Sequence, residues 1–171
     1  MIVHRSAAQN GFRRLRISQY SLSPNIRRMS GSVETKKVFL SSPQYAVVGA
    51  SKDQTKFGTK VLKWYLARDL SVTPVHPKED TLEGVNTVRS LGDLPSPADT
   101  SISIITNPKI TLGILEQAKA LSIPALWLQP GAEDAAVVSY IKDNGLESKV
   151  IYGGPCILVE GDGIRETLAK L

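Results

Sequence analysis

Short apolar runs alternate along this chain with segments in which apolar residues recur at helical spacing. Residues 45–49 form the first apolar run and predict a buried strand ending in glycine. From Val61 to Leu66 the apolar residues fall on one face of a helix, which we expect to end near Arg68. Alternation of this kind is typical of an α/β protein.

The same pattern predicts the remaining elements. Further strands are expected at residues 72–75, 100–105, 125–128 and 150–152, with a minor strand at 85–88. Further helices are expected from Ile110 to Leu121, around 137–141 with an end at Gly145, and over 164–171. Continuous apolar strands imply a sheet that is covered on both faces. We therefore predict a single-domain, doubly wound, mostly parallel sheet in a Rossmann-like three-layer α/β/α arrangement.

The net charge of +5 is unevenly distributed. Residues 1–33 hold six of the 21 basic residues, all arginine, and none of the 16 acidic ones, so residues 34–171 have 15 basic and 16 acidic residues. A cationic, serine-rich and acid-free segment predicts a mitochondrial transit peptide, with a disordered basic tail as the alternative. A cytoplasmic form starting at Met29 stays open. The folded domain is expected over 34–171.

Composition excludes several classes of protein. One cysteine and two histidines rule out a disulfide framework and argue against a metal centre. No apolar run reaches the roughly 18 residues that span a bilayer. Because the domain itself is nearly neutral, the basic pI does not indicate a nucleic-acid partner. We expect no metal, no membrane association and no nucleic acid.

The turn after the first strand is the first candidate binding site. In doubly wound sheets, ligands bind outside the carboxyl ends of the strands, and small residues there let the backbone approach a phosphate. A G-x-G-x-x-G motif is absent, which weakens a standard dinucleotide interpretation. The alternative is a tight turn with solvated lysines. The candidate residues are Gly49, Ala50, Ser51, Lys52 and Lys56.

The end of the second strand supplies the next candidates, His76, Pro77 and Lys78. NAD-binding chains usually carry an acidic residue here, which accepts hydrogen bonds from the ribose hydroxyls. A lysine favours a phosphate on that ribose, as in coenzyme A (CoA) or NADP. A solvated surface lysine is the alternative for Lys78, and a packing or ligand-stacking role is the expectation for His76.

Several motifs together resemble a known family. They are Val-Val-Gly-Ala-Ser at 47–51, Pro-Val-His-Pro-Lys at 74–78, Gly84, Asp-Leu-Pro at 93–95, Asn107, and Leu-Trp-Leu-Gln-Pro-Gly at 126–131. Over residues 45–159 the chain resembles small stand-alone CoA-binding proteins, which are similar to the CoA-binding domain of the succinyl-CoA ligase alpha subunit. The resemblance implies that residues 49–52 line the CoA phosphates and that Lys78 meets a further phosphate. It also implies that Asn107 and Pro108 flank the adenine or the pantetheine.

The sequence departs from that family in two respects. The ligase alpha subunit has a second domain with a phosphorylated histidine, which this sequence does not contain, so we do not expect acyl-CoA synthesis by this chain alone. Bacterial relatives place a cysteine before a proline near the last strand, whereas here Pro155 precedes Cys156. This order puts a shared role for Cys156 in doubt, and a buried, inert thiol is the expectation.

The function predicted from these residues is binding of CoA or an acyl-CoA by a sensor, carrier or regulatory module. No residue is identified as catalytic, and whether the chain is an enzyme stays open. The alternative is an NADP-dependent oxidoreductase or redox sensor on the same fold. A homodimer, or docking onto a larger enzyme, also stays open.

Overall fold

The computed structural model of the protein describes residues 32–170, and the predicted leader lies almost entirely outside them. The strands in chain order are β1 Gln44–Val48, β2 Val72–Val75, β3 Thr81–Leu82, β4 Val85–Asn86, β5 Thr100–Ile104, β6 Leu126–Leu128 and β7 Val150–Ile151. The α-helices are α1 Val33–Leu40, α2 Phe57–Leu66, α3 Pro108–Ala120, α4 Ala135–Asp143 and α5 Ile157–Leu168. Two short 3-10 turns, Leu91–Asp93 and Pro97–Asp99, precede β5.

Five strands form a parallel sheet in the order β2-β1-β5-β6-β7. After β2 the chain crosses β1 and adds β5 on its other side, so the order of strands reverses between β1 and β5. β3 and β4 form a separate antiparallel hairpin, and Val88 bridges to Val75 at the edge of β2. The doubly wound, mostly parallel sheet predicted from the sequence is confirmed, and its reversal point lies at the carboxyl ends of β1 and β5.

Helices cover both faces of the sheet. On one face Phe39 of α1, Leu62 of α2 and Ile157 of α5 pack with Trp127 in one apolar cluster. The other face holds a second cluster, to which α3 and α4 contribute. Burial of a large apolar side chain contributes about 1.5–3 kcal/mol, so these two clusters hold the three layers together. Trp127 is fully buried, as its place in an apolar strand predicts.

Buried hydroxyls join the sheet to the helices. β5 is buried at every position although three of its five residues, in the sequence Thr-Ser-Ile-Ser-Ile, are polar. Ser103 Oγ lies 2.8 Å from the hydroxyl of Tyr65 in α2, and Ser101 Oγ lies 2.5 Å from Ser42 Oγ. Each buried hydroxyl therefore has a partner, and burial raises the pKa of Tyr65 above its usual range.

Two helices differ clearly from the sequence predictions. α1 was not predicted, because only Thr35, Phe39 and Leu40 of its eight residues are buried. α5 begins at Ile157 rather than at residue 164, since two glycines interrupt its apolar pattern. Trp64 of α2 packs closely against α5: a Cβ on Gly161 would lie 2.5 Å from its ring.

Two smaller differences concern α2 and α3. α2 ends at Leu66, with Ala67 as its C-cap, slightly before the expected end at Arg68. Ile110 was expected on the buried face of α3, but its side chain is 53% exposed, and Thr111 and Leu115 are buried instead. Gly145 follows the end of α4 with a φ of 64°, as expected for a residue after a helix C-cap. No helix among residues 32–170 is long and apolar enough to cross a membrane.

Candidate functional site

The turn after β1 is closely packed against the end of β5. Gly49 has a φ of 108°, and a Cβ there would lie 2.0 Å from the carbonyl oxygen of Ile105. The amide of Ile105 in turn donates to the carbonyl of Val48 at 2.8 Å. Only glycine combines this backbone conformation with this contact, so the reversal point of the sheet has a fixed backbone path.

The loop that follows is ordered by its own side chains. Ser51 Oγ accepts a hydrogen bond from the amide of Asp53 at 3.3 Å. The carboxylate of Asp53 accepts from both the amide of Thr55, at 2.9 Å, and its hydroxyl, at 2.6 Å. These hydrogen bonds from Thr55 lower the pKa of the fully exposed Asp53 carboxyl. The loop is therefore held in a defined turn even though it is open to solvent.

The N-terminus of α2 faces this loop. Thr59 Oγ1 accepts from the amide of Ser51 at 3.2 Å and donates to its carbonyl at 2.8 Å, which ties the loop to the helix. Lys56 is the N-cap residue, and no side chain among the described residues caps the first turn. The first amides of a helix lack intrahelical acceptors and carry the positive end of its dipole. This end of α2 is therefore suited to bind an anion.

Three lysines surround the turn, and they differ in their partners. Lys52 forms an ion pair with Glu79, with 2.5 Å between Nζ and Oε2. Lys56 and Lys78 form no ion pair with any residue in the range 32–170. All three lysines are exposed, so Lys56 and Lys78 are free to meet an anionic ligand, whereas Lys52 would first have to leave Glu79.

His76 organises the turn at the end of β2. Its Nδ1 accepts hydrogen bonds from the amide of Lys78 at 3.2 Å and from the amide of Glu79 at 2.9 Å. The ring thereby fixes the backbone that carries Lys78 and leaves Nε2 for another partner. The sequence predicted packing or ligand stacking for this residue, and the structure adds the role of a turn-forming acceptor.

Arg89 is a candidate that the sequence analysis missed. Its guanidinium donates to the carbonyl of Glu79 at 2.7 Å and pairs with the carboxylate of Asp80. It comes from the segment after β4, thirteen positions beyond His76, and the tertiary fold alone brings it to the end of β2. No local motif in the sequence marks it.

A cleft of about 140 Å³ opens beside the turn, on the face covered by α3. Val48 and Val75, at the ends of β1 and β2, line its inner part together with Leu91. Pro77 and Ile110 also line it, and Ile110 is exposed there despite its apolar side chain. The cleft thus offers apolar surface next to the turns that follow β1 and β2.

Asn107 and Pro108 lie at the end of β5 and begin α3. Asn107 is the N-cap, and its Oδ1 accepts from the amide of Ile110 at 3.1 Å. Pro108 occupies the first helical position, where it needs no hydrogen-bond acceptor. All ten candidate residues therefore meet at the carboxyl edge of β1, β2 and β5, although Asn107 also has a structural role.

Cys156 lies farther along the same edge, as the N-cap of α5. It was expected to be buried, but it is half-buried and has a free thiol. Between β7 and α5, Gly153 and Gly154 have φ values of 91° and 99°, a backbone conformation that favours glycine.

Comparison with known proteins gives a consistent result. Residues 43–162 match the family model described as a CoA binding domain. A conserved hypothetical protein from Pyrococcus furiosus is 36% identical, with 68% of this chain and 97% of that chain covered and a TM-score of 0.62. A protein of solved structure from Thermus thermophilus is 27% identical, with 77% and 98% covered and a TM-score of 0.65.

The same fold also occurs inside a larger enzyme. Part of the dinucleotide-forming acetyl-coenzyme A synthetase 1 of Candidatus Korarchaeum cryptofilum superposes with a TM-score of 0.56 at 21% identity, covering 66% of this chain and 25% of that chain. At this level of identity, the likeness shows a shared fold and nothing more. The match over residues 43–162 spans the whole sheet and every candidate residue. The chain belongs to the CoA-binding domain family.

Proposed function

We propose that this protein binds CoA or an acyl-CoA at the reversal point of the sheet and acts as a sensor, carrier or regulatory module. The observation that carries the proposal is the uncapped N-terminus of α2, which faces a glycine turn fixed by Ile105. Free amides, a helix dipole and close backbone approach are the features that bind a diphosphate.

The other parts of the ligand have matching surfaces nearby. The cleft lined by Val75, Pro77 and Ile110 suits an adenine ring, since apolar side chains form most of its walls and Ser90 and Gln117 add polar groups at its side. Lys78 lies on the turn that His76 organises, and in this proposal its ammonium group pairs with a phosphate on the ribose. Arg89 lies on the same side and adds a second cation if its guanidinium leaves Asp80.

The same surfaces could accept NADP, because it also carries a phosphorylated ribose. An NADP-dependent oxidoreductase or redox sensor is therefore the function to be distinguished. NADP ends in a nicotinamide ring rather than a long flexible arm. A direct comparison of the two ligands separates the proposals.

Thermal unfolding of the full chain with CoA, NADP or NAD at millimolar concentration is the decisive experiment. We expect CoA to raise the melting temperature, because a ligand at 100 times its Kd stabilises the folded state by about 2.7 kcal/mol. NAD should leave it unchanged, because it has no phosphate on the ribose for Lys78 to bind. Absence of any shift with CoA would overturn the proposal. A shift with NADP alone would favour the oxidoreductase or redox sensor.

A further inference from the structure

An acidic side chain lies among the cations of the candidate site. Glu79 follows Lys78 directly in the turn after β2, and its Oε2 lies 2.5 Å from Nζ of Lys52. Lys52 belongs to the loop after β1, so this ion pair joins the turns that follow two neighbouring strands. The protein thus places one of its own carboxylates on a lysine of the proposed anion site.

The backbone of Glu79 is anchored from two segments of the chain. Its amide donates to Nδ1 of His76 at 2.9 Å. Its carbonyl accepts from the guanidinium of Arg89 at 2.7 Å and from the hydroxyl of Thr87. The first contact comes from the end of β2, and the other two come from the residues that follow β4. The carboxylate therefore extends from a fixed main chain.

Lys52 is the partner that is free to move. Its side chain is 69% exposed, whereas that of Glu79 is 30% exposed. Exposed side chains change rotamer within nanoseconds, and an exposed ion pair is weak. The carboxylate also keeps contact with water, so Lys52 can leave it without a buried, unpaired charge remaining behind. The pair can therefore be exchanged for an interaction of Lys52 with a stronger anion.

The place of the ion pair indicates which phosphate of the ligand takes part. The α-carbons of Lys78 and Glu79 are neighbours in the chain, about 3.8 Å apart, so the pair brings the ammonium of Lys52 to the turn that carries Lys78. The proposed function assigns the ribose phosphate to this turn and the diphosphate to the N-terminus of α2. A phosphate monoester carries about −1.5 to −2 charges near neutral pH, against a single charge on a carboxylate, and therefore competes well for a lysine.

We propose that Glu79 occupies Lys52 in place of the ribose phosphate, and that the ligand exchanges this carboxylate for its own phosphate. The inference rests on the proposed function and names a residue that sets how strongly the site prefers a phosphorylated ribose. Glu79 lowers the affinity for such a ligand, because binding breaks an ion pair. The exchange also detaches the loop after β1 from the turn after β2, a change in structure that only a phosphorylated ribose produces.

The test is isothermal titration calorimetry of CoA and dephospho-CoA on the full chain, with wild type and Glu79→Gln. The substitution removes the charge and leaves the three backbone contacts of Glu79 in place. We expect CoA to bind three- to fivefold more tightly to the variant, because an exposed ion pair contributes about 1 kcal/mol or less, which is about fivefold in affinity. Dephospho-CoA should change by less than about twofold, the size of an ordinary surface effect.

A double-mutant cycle separates exchange from simple repulsion between Glu79 and the phosphate. Repulsion alone would also make CoA bind more tightly to Glu79→Gln. In a protein with Lys52→Met there is no ammonium to exchange, so adding Glu79→Gln should change the affinity for CoA by less than about twofold. A repulsive effect would persist without the lysine.

Glu83→Gln is the matched control. Glu83 belongs to the same segment and also pairs with a lysine, since its Oε2 lies 3.5 Å from Nζ of Lys63 in α2. Its Oε1 accepts from the amide of Gln54 at 2.7 Å, and glutamine keeps that acceptor. The control removes the same charge at a lysine outside the candidate site, so both affinities should change by less than about twofold.

The outcomes separate the two proposals. If wild type and Glu79→Gln bind neither ligand, the proposed function fails and the exchange fails with it. If wild type binds CoA but Glu79→Gln binds it equally or more weakly, the exchange is wrong while CoA binding stands. An equal gain with dephospho-CoA or with Glu83→Gln, or a gain that persists with Lys52→Met, also overturns the exchange.

Discussion

The carbonyl oxygen of Gly49 lies directly against the α-carbon of Gly58, so that a Cβ built on Gly58 would come within 2.1 Å of that oxygen. The two glycines are nine positions apart, which is why no G-x-G-x-x-G motif appears in the sequence. Gly58 nevertheless allows close packing between the start of α2 and the end of β1. The loop between Gly49 and Gly58 is longer than the turn of a G-x-G-x-x-G motif, and these two glycines still let the helix and the strand approach closely.

Gly58→Ala should destabilise the protein, because the new methyl group would meet backbone atoms that cannot move aside. We expect a loss of about 1–3 kcal/mol in the free energy of unfolding, measured by urea denaturation. Gly113→Ala in α3 is the matched control, since nothing lies within 4 Å of a Cβ there. That variant should be neutral or more stable by up to about 1 kcal/mol. Equal effects of the two substitutions would contradict the packing argument.

Lys78→Ala should weaken CoA about tenfold or more and dephospho-CoA much less, because the lysine is proposed to pair with the phosphate that dephospho-CoA lacks. Calorimetric titration of both ligands measures the difference. Lys149→Ala, on the opposite edge of the sheet just before β7, is the control and should leave both affinities unchanged. If Lys78→Ala weakens the two ligands equally, the lysine does not recognise the ribose phosphate.

The ion pair between Arg68 and Asp162 should make stability depend on pH. Arg68 Nε and Nη2 lie 2.6 and 2.5 Å from the two carboxylate oxygens, and this hydrogen bonding lowers the pKa of Asp162. The folded pKa is depressed, so the stabilisation is complete above the unfolded value of about 3.9 and is lost as pH falls through the folded value. Since the carboxylate is half exposed, the contribution is about 1 kcal/mol or less.

Urea denaturation of wild type and Asp162→Asn from about pH 7 to about pH 2 measures that effect. The difference in unfolding free energy should be largest at neutral pH and should shrink towards zero in acid. Asp143→Asn, on the exposed end of α4, provides the control. A difference that does not change with pH would show that the pair contributes nothing through its charge.

The arginine-rich N terminus should act as a mitochondrial address. We propose that residues 1–33, fused to a fluorescent protein, direct it to mitochondria, because a cationic acid-free segment is drawn to a negative interior. Replacing its six arginines with glutamine should leave the fusion in the cytoplasm. A fusion that begins at Met29 lacks all six arginines and should therefore also stay in the cytoplasm. Mitochondrial fluorescence that survives loss of the arginines would contradict the proposal.

Part of the candidate site follows from local sequence. Gly49 follows an apolar strand directly and Lys78 follows one within three residues, and in a parallel sheet such positions meet at one edge, so both could be identified. Arg89 and Gln129 could not be assigned a role in the same way. Arg89 reaches the end of β2 from a distant segment, and Gln129 is buried and accepts from the amide of Ile157 only because the fold brings β6 and α5 together.

The sequence by itself determined the class of fold, since the apolar periodicity specifies which segments are strands and which are helices. It also determined the chemistry available at the strand ends, because a lysine rather than an acid follows β2. Tertiary structure decided the order of the strands, the contact between Gly49 and Gly58, and the burial of Gln129. These features depend on packing between segments that are far apart in the sequence. Such contacts cannot be predicted from the local pattern of apolar and polar residues.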